Sequence, residues 1–170
     1  MSKPTIEFSI KDIMLDAIRE DDSNNFRRLD VIIHYMAIED YYGKNENGWE
    51  LYSKYERTSG RNADKSKAKF INLIKSFEER GCQTEKYPLK ISLEIKNLKL
   101  LHVRDGAHRL ACSIYFGSKY VYGYVAKRPF GEIDIGSVLL LKRKFTEEEI
   151  ELLEEKKEQI LKEVGIKRSE

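Results

Sequence analysis

Apolar residues in the first half of the chain recur at helical spacing, and this pattern predicts helices. The first stripe ends at the polar run 21–25, and the second ends near Gly43. A third, shorter helix is predicted from Trp49 to about Thr58. The first two stripes consist of Ile10, Ile13, Met14 and Ile18, and of Leu29, Ile32, Ile33 and Met36.

The fourth predicted helix ends before Gly81, a residue type common just past helix ends. Asp64 or Ser66 could cap its start, because short polar side chains accept hydrogen bonds from the first backbone N–H groups. Its apolar face consists of Phe70, Ile71, Leu73, Ile74 and Phe77.

From Pro88 onward the apolar positions alternate, as they do in a strand. The alternating residues 89–93 predict one strand, residues 98–103 predict a second, and a hairpin through 94–97 joins them. The elements predicted after them are a helix over 107–116, a strand over 120–125, another strand over 138–141 and a closing helix. Thr146 and Glu149 have the spacing of a capping box for that closing helix.

This order of elements predicts an α+β fold with a small mixed sheet and flanking helices. We expect an N-terminal helical region over 1–48 that packs on the core, a core over 49–144 and a C-terminal helix over 145–170. A chain of 170 residues is long enough for one such domain.

Composition narrows the classes of function. Mean hydropathy is -0.59 and no long apolar run occurs, so no membrane span is predicted. The net charge of +2 gives no general attraction to nucleic acid, which makes nucleic acid an unexpected partner. No basic stretch followed by an apolar one opens the sequence, so we predict a cytoplasmic location.

The two cysteines do not predict redox or zinc chemistry. Cys82 and Cys112 are too far apart in sequence for a CxxC motif. His108 and Cys112 are four residues apart on one helix face, but two zinc ligands without partners are weak evidence for a metal site.

The residues with the clearest chemical potential are Asp105-Gly106-Ala107-His108-Arg109, between a buried strand and a helix. Backbone N–H groups at a helix start are unpaired and attract anions, and Gly106 allows close approach of a phosphate. Arg109 adds a cation, and His108 adds a donor. Alternatively, Asp105 is an N-cap and Arg109 a surface charge, and the residues alone leave both interpretations open.

The pattern of helix, two strands, Asp-Gly-x-His-Arg, Phe116-Gly117 and a further strand resembles the ParB/sulfiredoxin superfamily. The resemblance covers roughly residues 52–127 and implies a ParB/sulfiredoxin-like fold in which this turn holds nucleotide phosphates. Asp105, Gly106, Ala107, His108 and Arg109 would then bind the nucleotide.

Three branches of that superfamily differ at the turn. Sulfiredoxins carry a reactive cysteine where this chain has Ala107, and chromosome-partition ParB proteins have a different turn followed by a DNA-binding region. The free-serine kinases carry an Asp-Gly-x-His-Arg turn and are the most similar branch. This resemblance implies that Asp105 helps to hold Mg²⁺ and that His108 and Arg109 hold the phosphates of ATP or ADP.

A kinase also needs a carboxylate to accept or orient the proton of the attacking hydroxyl. The resemblance indicates Glu56 for this role, with Glu50 as second choice, although Glu56 could equally be a solvated helix charge. Arg57 and Arg61 lie close by in sequence and could bind phosphates, or they could simply be solvated. Nearby aromatic residues suit either a core or a polar pocket wall, namely Tyr41, Tyr42, Trp49, Tyr52 and Tyr55.

The sequence therefore predicts an ATP- or ADP-dependent kinase that phosphorylates a hydroxyl of serine or of a sugar-like acceptor. Its catalytic residues would be Glu56, Asp105 and His108. The Tyr-Tyr-Gly-Lys-Asn stretch with the Asp-Gly-x-His-Arg turn also resembles proteins of bacterial surface-polysaccharide gene clusters. The alternatives are a non-catalytic or slowly hydrolysing nucleotide-binding switch and a ParB-like protein associated with nucleic acid.

Overall fold

The computed structural model describes residues 4–14, 29–93, 101–126 and 144–166, and these form a mixed α+β structure. The strands are β1 (Ile6–Ser9), β2 (Leu89–Leu93), β3 (Leu101–Asp105) and β4 (Tyr120–Val125). The helices are α1 (Ile10–Met14), α2 (Leu29–Tyr41), α3 (Gly48–Thr58), α4 (Ala63–Arg80), α5 (Ala107–Tyr115) and α6 (Glu147–Glu163).

The four strands form one mixed sheet in the order β1-β4-β2-β3. β1 runs antiparallel to β4, β4 runs parallel to β2, and β2 runs antiparallel to β3. The register of β2 and β3 shifts between Lys90 and Ile91, and Lys90 then faces Asp105 at the end of β3. This pairing fixes the position of Asp105, where the chain leaves the sheet.

Strand β1 was not among the elements that the sequence pattern predicted. It has four residues and pairs Phe8 with Val121 and Ile6 with Gly123 at the edge of the sheet. Its first two residues are exposed, so the strand has no clear alternation of buried and exposed positions. Such a short segment cannot be distinguished by its sequence from the helical stripe that begins directly after it. Pairing with β4 supplies the stabilisation that the local sequence does not.

Helix α2 lies at the centre of the core and packs against α3, α5 and α6. Residues 31–38 are all buried, because the helix has neighbours on several sides. The start of α3 approaches α2 closely at Gly48, where an added Cβ would lie 2.0 Å from the backbone oxygen of Met36. The predicted region 1–48 thus contributes both a strand and a central helix to the core.

The predicted N-cap of α4 was wrong. Asn62, and neither Asp64 nor Ser66, caps this helix, and its side-chain oxygen accepts a hydrogen bond from the backbone N–H of Lys65. Asn62 has extended backbone geometry, and the helix begins directly after it at Ala63. The predicted end before Gly81 is confirmed.

The capping box of α6 is confirmed. The Thr146 hydroxyl accepts a hydrogen bond from the Glu149 N–H at 3.1 Å, and the Glu149 carboxylate accepts one from the Thr146 N–H at 2.9 Å. Lys156 pairs with Glu39 of α2 at 3.0 Å, and the Tyr35 hydroxyl donates to Glu163 at 3.1 Å. These contacts attach the closing helix to α2.

Two predicted elements lie outside the described residues, namely the hairpin connection at 94–97 and the strand at 138–141. Strands β2 and β3, which that hairpin was predicted to join, are paired antiparallel as expected. Among the helices within the described ranges, none combines the length and the apolar character that crossing a bilayer requires.

Candidate functional site

A cavity of about 510 Å³ lies between α2, α3, α4 and the turn that follows β3. Its lining combines aromatic rings with polar and charged groups, a mixture typical of small-molecule sites. The polar lining residues are Asp30, His34, Tyr52, Tyr55, Glu56, Arg61, Ser66, Lys69, Asp105 and His108.

The turn Asp105-Gly106-Ala107-His108 forms one edge of this cavity. Gly106 has a φ of 115°, and a Cβ there would lie 2.8 Å from Cγ of Leu89. The backbone therefore requires glycine both for its conformation and for its close contact with β2. The first backbone N–H groups of α5 lack partners within the helix and favour an anion at this edge.

Asp105 is not the N-cap of α5, so the structural alternative from the sequence was wrong in this respect. Gly106 is the N-cap, and as a glycine it has no side chain to make a capping bond. Asp105 belongs to β3 and pairs there with Lys90. The Asp105 side chain is 74% exposed, and its carboxylate lies 3.6 Å from Nη2 of Arg109. It lines the cavity as an oxygen donor that solvent can reach.

Arg109 lies beside the turn but makes its strongest contacts away from the cavity. Its Nη1 donates hydrogen bonds to the backbone oxygens of Tyr87 at 2.7 Å and Pro88 at 2.8 Å. These bonds tie α5 to the segment that precedes β2. Arg57 is exposed on α3, and neither of these two arginines is among the described residues that line the cavity.

Glu56 does reach the cavity, and its carboxylate is almost completely buried, with 1% of the side chain exposed. Arg61 Nε donates a hydrogen bond to its Oε2, while its Oε1 lies 3.6 Å from Nε2 of His108. Burial alone would raise the pKa of Glu56, but hydrogen bonds from His108 and Arg61 outweigh it and lower that pKa. Glu56 is therefore ionised at neutral pH.

His34 belongs to this group and was not among the predicted site residues. It projects from α2, is 2% exposed and stacks on His108, with ring centroids 3.9 Å apart. A donor atom from each of His34, Glu56 and His108 lies within 4.8 Å of the other two. The available signal in the sequence was a histidine inside an otherwise apolar helical stripe.

Aromatic rings support the two histidines. The Tyr52 hydroxyl lies 3.0 Å from Nε2 of His108, and the Phe70 ring meets the His108 ring edge-on with centroids 4.7 Å apart. Of the predicted aromatic group, Tyr52 and Tyr55 line the cavity. Tyr42 instead stacks on Tyr115, with ring centroids 5.6 Å apart, and is not among the described residues that line the cavity.

The cavity offers two kinds of donor for a cation. Asp30 and Asp105 are carboxylates on its lining, and oxygen donors of this kind suit Mg²⁺ when it also contacts phosphate. His34, Glu56 and His108 form a mixed nitrogen and oxygen group.

The chain matches no protein-family model, no curated protein and no solved structure. The resemblance to the ParB/sulfiredoxin superfamily stays a prediction based on the turn and on the order of elements around it.

Proposed function

We propose that the protein is a ParB/sulfiredoxin-type kinase that transfers a phosphoryl group from ATP or ADP to a small hydroxylated molecule. Serine or a sugar-like compound is the proposed acceptor, and the cytoplasm, where both nucleotides are available, is the proposed location. The observation that carries the proposal is that Glu56 and the Gly106 turn line the same cavity, although 49 positions separate Glu56 from Asp105 in the sequence.

The phosphates of the donor would lie at the start of α5. Backbone N–H groups of residues 107–109 point toward this edge and offer hydrogen bonds to phosphate oxygens. Arg61 and Lys69 line the cavity and add positive charge. The His108 imidazole is directed at Glu56 and Tyr52, so His108 would contribute mainly through its backbone N–H. Arg109 would hold the turn in place through its two bonds to backbone oxygens.

Asp105 is the residue that would hold Mg²⁺, with Asp30 as a second carboxylate on the same lining. Bound Mg²⁺ neutralises part of the charge on the donor phosphates. The fit rests on the exposure of the Asp105 carboxylate and on the adjacent anion-binding helix start.

Glu56 would orient the acceptor. Its Oε2 is held by Arg61, and its Oε1 could accept a hydrogen bond from the acceptor hydroxyl. A carboxylate with a lowered pKa is a weak base, which suits positioning in a reaction whose transition state is loose. The acceptor oxygen forms a bond to the terminal phosphorus, the bond to the bridging oxygen breaks, ADP or AMP leaves, and the hydroxyl proton passes through Glu56 to solvent.

Calorimetric titration of ATP and ADP, with and without Mg²⁺, tests the nucleotide site. We expect Mg²⁺ to strengthen binding to the wild type. Asp105→Asn should lose most of that gain, about 10-fold in affinity or more, because the amide removes the charge that holds the ion.

Asp64→Asn is the matched control, since Asp64 is exposed on α4 and does not line the cavity. It should bind Mg²⁺-nucleotide like the wild type. Equal affinities with and without Mg²⁺ in the wild type would contradict the metal role of Asp105, and absence of nucleotide binding would contradict the proposal as a whole.

A further inference from the structure

A second group of possible metal ligands lines the cavity, and its chemistry differs from that of the Asp105 carboxylate. His34 and Glu56 are buried, at 2% and 1% exposure, and His108 completes the group from the start of α5. Three separate helices supply the three side chains, which lie 22 and 52 residues apart along the chain. The fold, and not a local motif, brings them together.

The distances fit a single ion after a small contraction. The donor atoms lie within 4.8 Å of one another, and Glu56 Oε1 is 3.6 Å from His108 Nε2. Ligands bonded to one ion at about 2.0–2.2 Å in tetrahedral geometry lie about 3.3–3.6 Å apart. One pair is already at that separation. Because the His34 and His108 rings are stacked and an imidazole binds a metal in its ring plane, the His34 ring would have to turn out of the stack to direct a nitrogen at the same ion.

Neighbouring side chains support this arrangement. Arg61 binds Oε2 of Glu56 and leaves Oε1 directed at the histidines. A hydrogen bond of this kind holds a carboxylate in the orientation in which it binds a metal. An ion at His108 Nε2 would replace the hydrogen bond that Tyr52 makes there.

We infer that His34, Glu56 and His108 bind a divalent transition-metal ion of the Zn²⁺ or Fe²⁺ class, with open coordination positions toward the cavity. Two imidazoles and one carboxylate favour such ions over Mg²⁺, which prefers oxygen donors. Three protein ligands with solvent access are typical of sites that also bind a substrate or water. This inference goes beyond the proposed kinase activity and does not rest on it. The two share Glu56, so an ion bound to its Oε1 would take the place proposed there for the acceptor hydroxyl.

Titration of chelator-treated, nucleotide-free protein with ZnCl₂ tests the site. The wild type should bind one Zn²⁺ per chain, and an excess of MgCl₂ should not displace it. His34→Gln, Glu56→Gln and His108→Asn should each weaken Zn²⁺ binding at least about 100-fold, since loss of even an outer-shell partner typically weakens it 10- to 100-fold.

Asp105→Asn and Glu50→Gln are the controls. Asp105 is the proposed Mg²⁺ ligand, and Glu50 is an exposed glutamate on the same helix as Glu56. Both variants should bind Zn²⁺ like the wild type. Because His34 is buried and its variant could fail to fold, the half-buried His108 provides the decisive substitution, with folding checked by circular dichroism.

Cobalt provides a readout independent of affinity. Co²⁺ added to the wild type should give visible absorption bands of a site with nitrogen ligands, and folded His108→Asn should change or lose them. No Zn²⁺ binding by the folded wild type, or equal binding by wild type and His108→Asn, would overturn the inference. Neither result would bear on the nucleotide titrations, in which the readout is Mg²⁺-dependent ATP or ADP binding.

Discussion

Replacing Glu56 with glutamine should lower phosphoryl transfer about 100- to 10,000-fold while changing nucleotide affinity little. The amide keeps the size of the side chain but removes the carboxylate that would orient the acceptor hydroxyl. Glu56 is a buried lining residue beside the His108 side chain, whereas the nucleotide phosphates would lie at the backbone N–H groups that begin α5. The substitution therefore leaves the proposed phosphate contacts in place. The measurement is turnover and calorimetric nucleotide affinity on the same protein preparation.

Glu50→Gln is the matched control for this prediction. Glu50 was the second choice for the same role, but it is exposed on α3 and does not line the cavity. It should turn over like the wild type. Turnover should be compared in the presence of a zinc-selective chelator, so that loss of a metal ligand is not mistaken for loss of the acceptor contact. Normal turnover by Glu56→Gln would contradict the assignment of Glu56.

Replacing Phe70 with alanine should lower the free energy of unfolding by about 3–5 kcal/mol. Phe70 is 2% exposed, and its ring contacts Tyr52, His34 and His108 with centroid separations of 5.4, 5.7 and 4.7 Å. The substitution removes a large apolar side chain and leaves the two histidines without their shared wall. Urea denaturation monitored by circular dichroism measures the change.

Leu73→Ala tests whether this loss is specific to the buried ring. Leu73 lies on the same helix and lines the same cavity, but it is only half-buried. Its loss should therefore be smaller than that of Phe70→Ala, because less apolar surface returns to water. Equal destabilisation by both variants would contradict the prediction that the buried Phe70 ring contributes more to stability than the half-buried Leu73.

Elements with long or well-marked patterns could be predicted from the sequence. The apolar positions that recur up to Gly81 predicted α4, and the spacing of Thr146 and Glu149 predicted the start of α6. The exact cap of α4 could not be predicted, because Asn62, Asp64 and Ser66 are all good capping residues within five positions. Strand β1 depends on its partner β4 and has little signal of its own.

The candidate site could be predicted only in part. The sequence indicated the turn from Asp105 to His108 as an anion site, and the resemblance indicated Glu56 as the carboxylate for the acceptor. Both line the cavity. The sequence assigned Arg109 to phosphate binding, but it could not show the contacts of this side chain with the backbone oxygens before β2, because these depend on tertiary packing. His34 was missed for the same reason, since nothing near it in sequence indicates that α5 brings His108 against it.

The proposed reaction is phosphoryl transfer from a nucleotide to a small hydroxyl compound. Phosphorus NMR of the wild type with ATP or ADP, MgCl₂ and a panel containing serine and simple sugars tests it most directly. We expect a new phosphate-ester resonance that appears with one class of acceptor, together with loss of the terminal phosphate signal of the donor. Nucleotide binding without any ester across the panel, or with only inorganic phosphate, would contradict it and favour a nucleotide-binding switch.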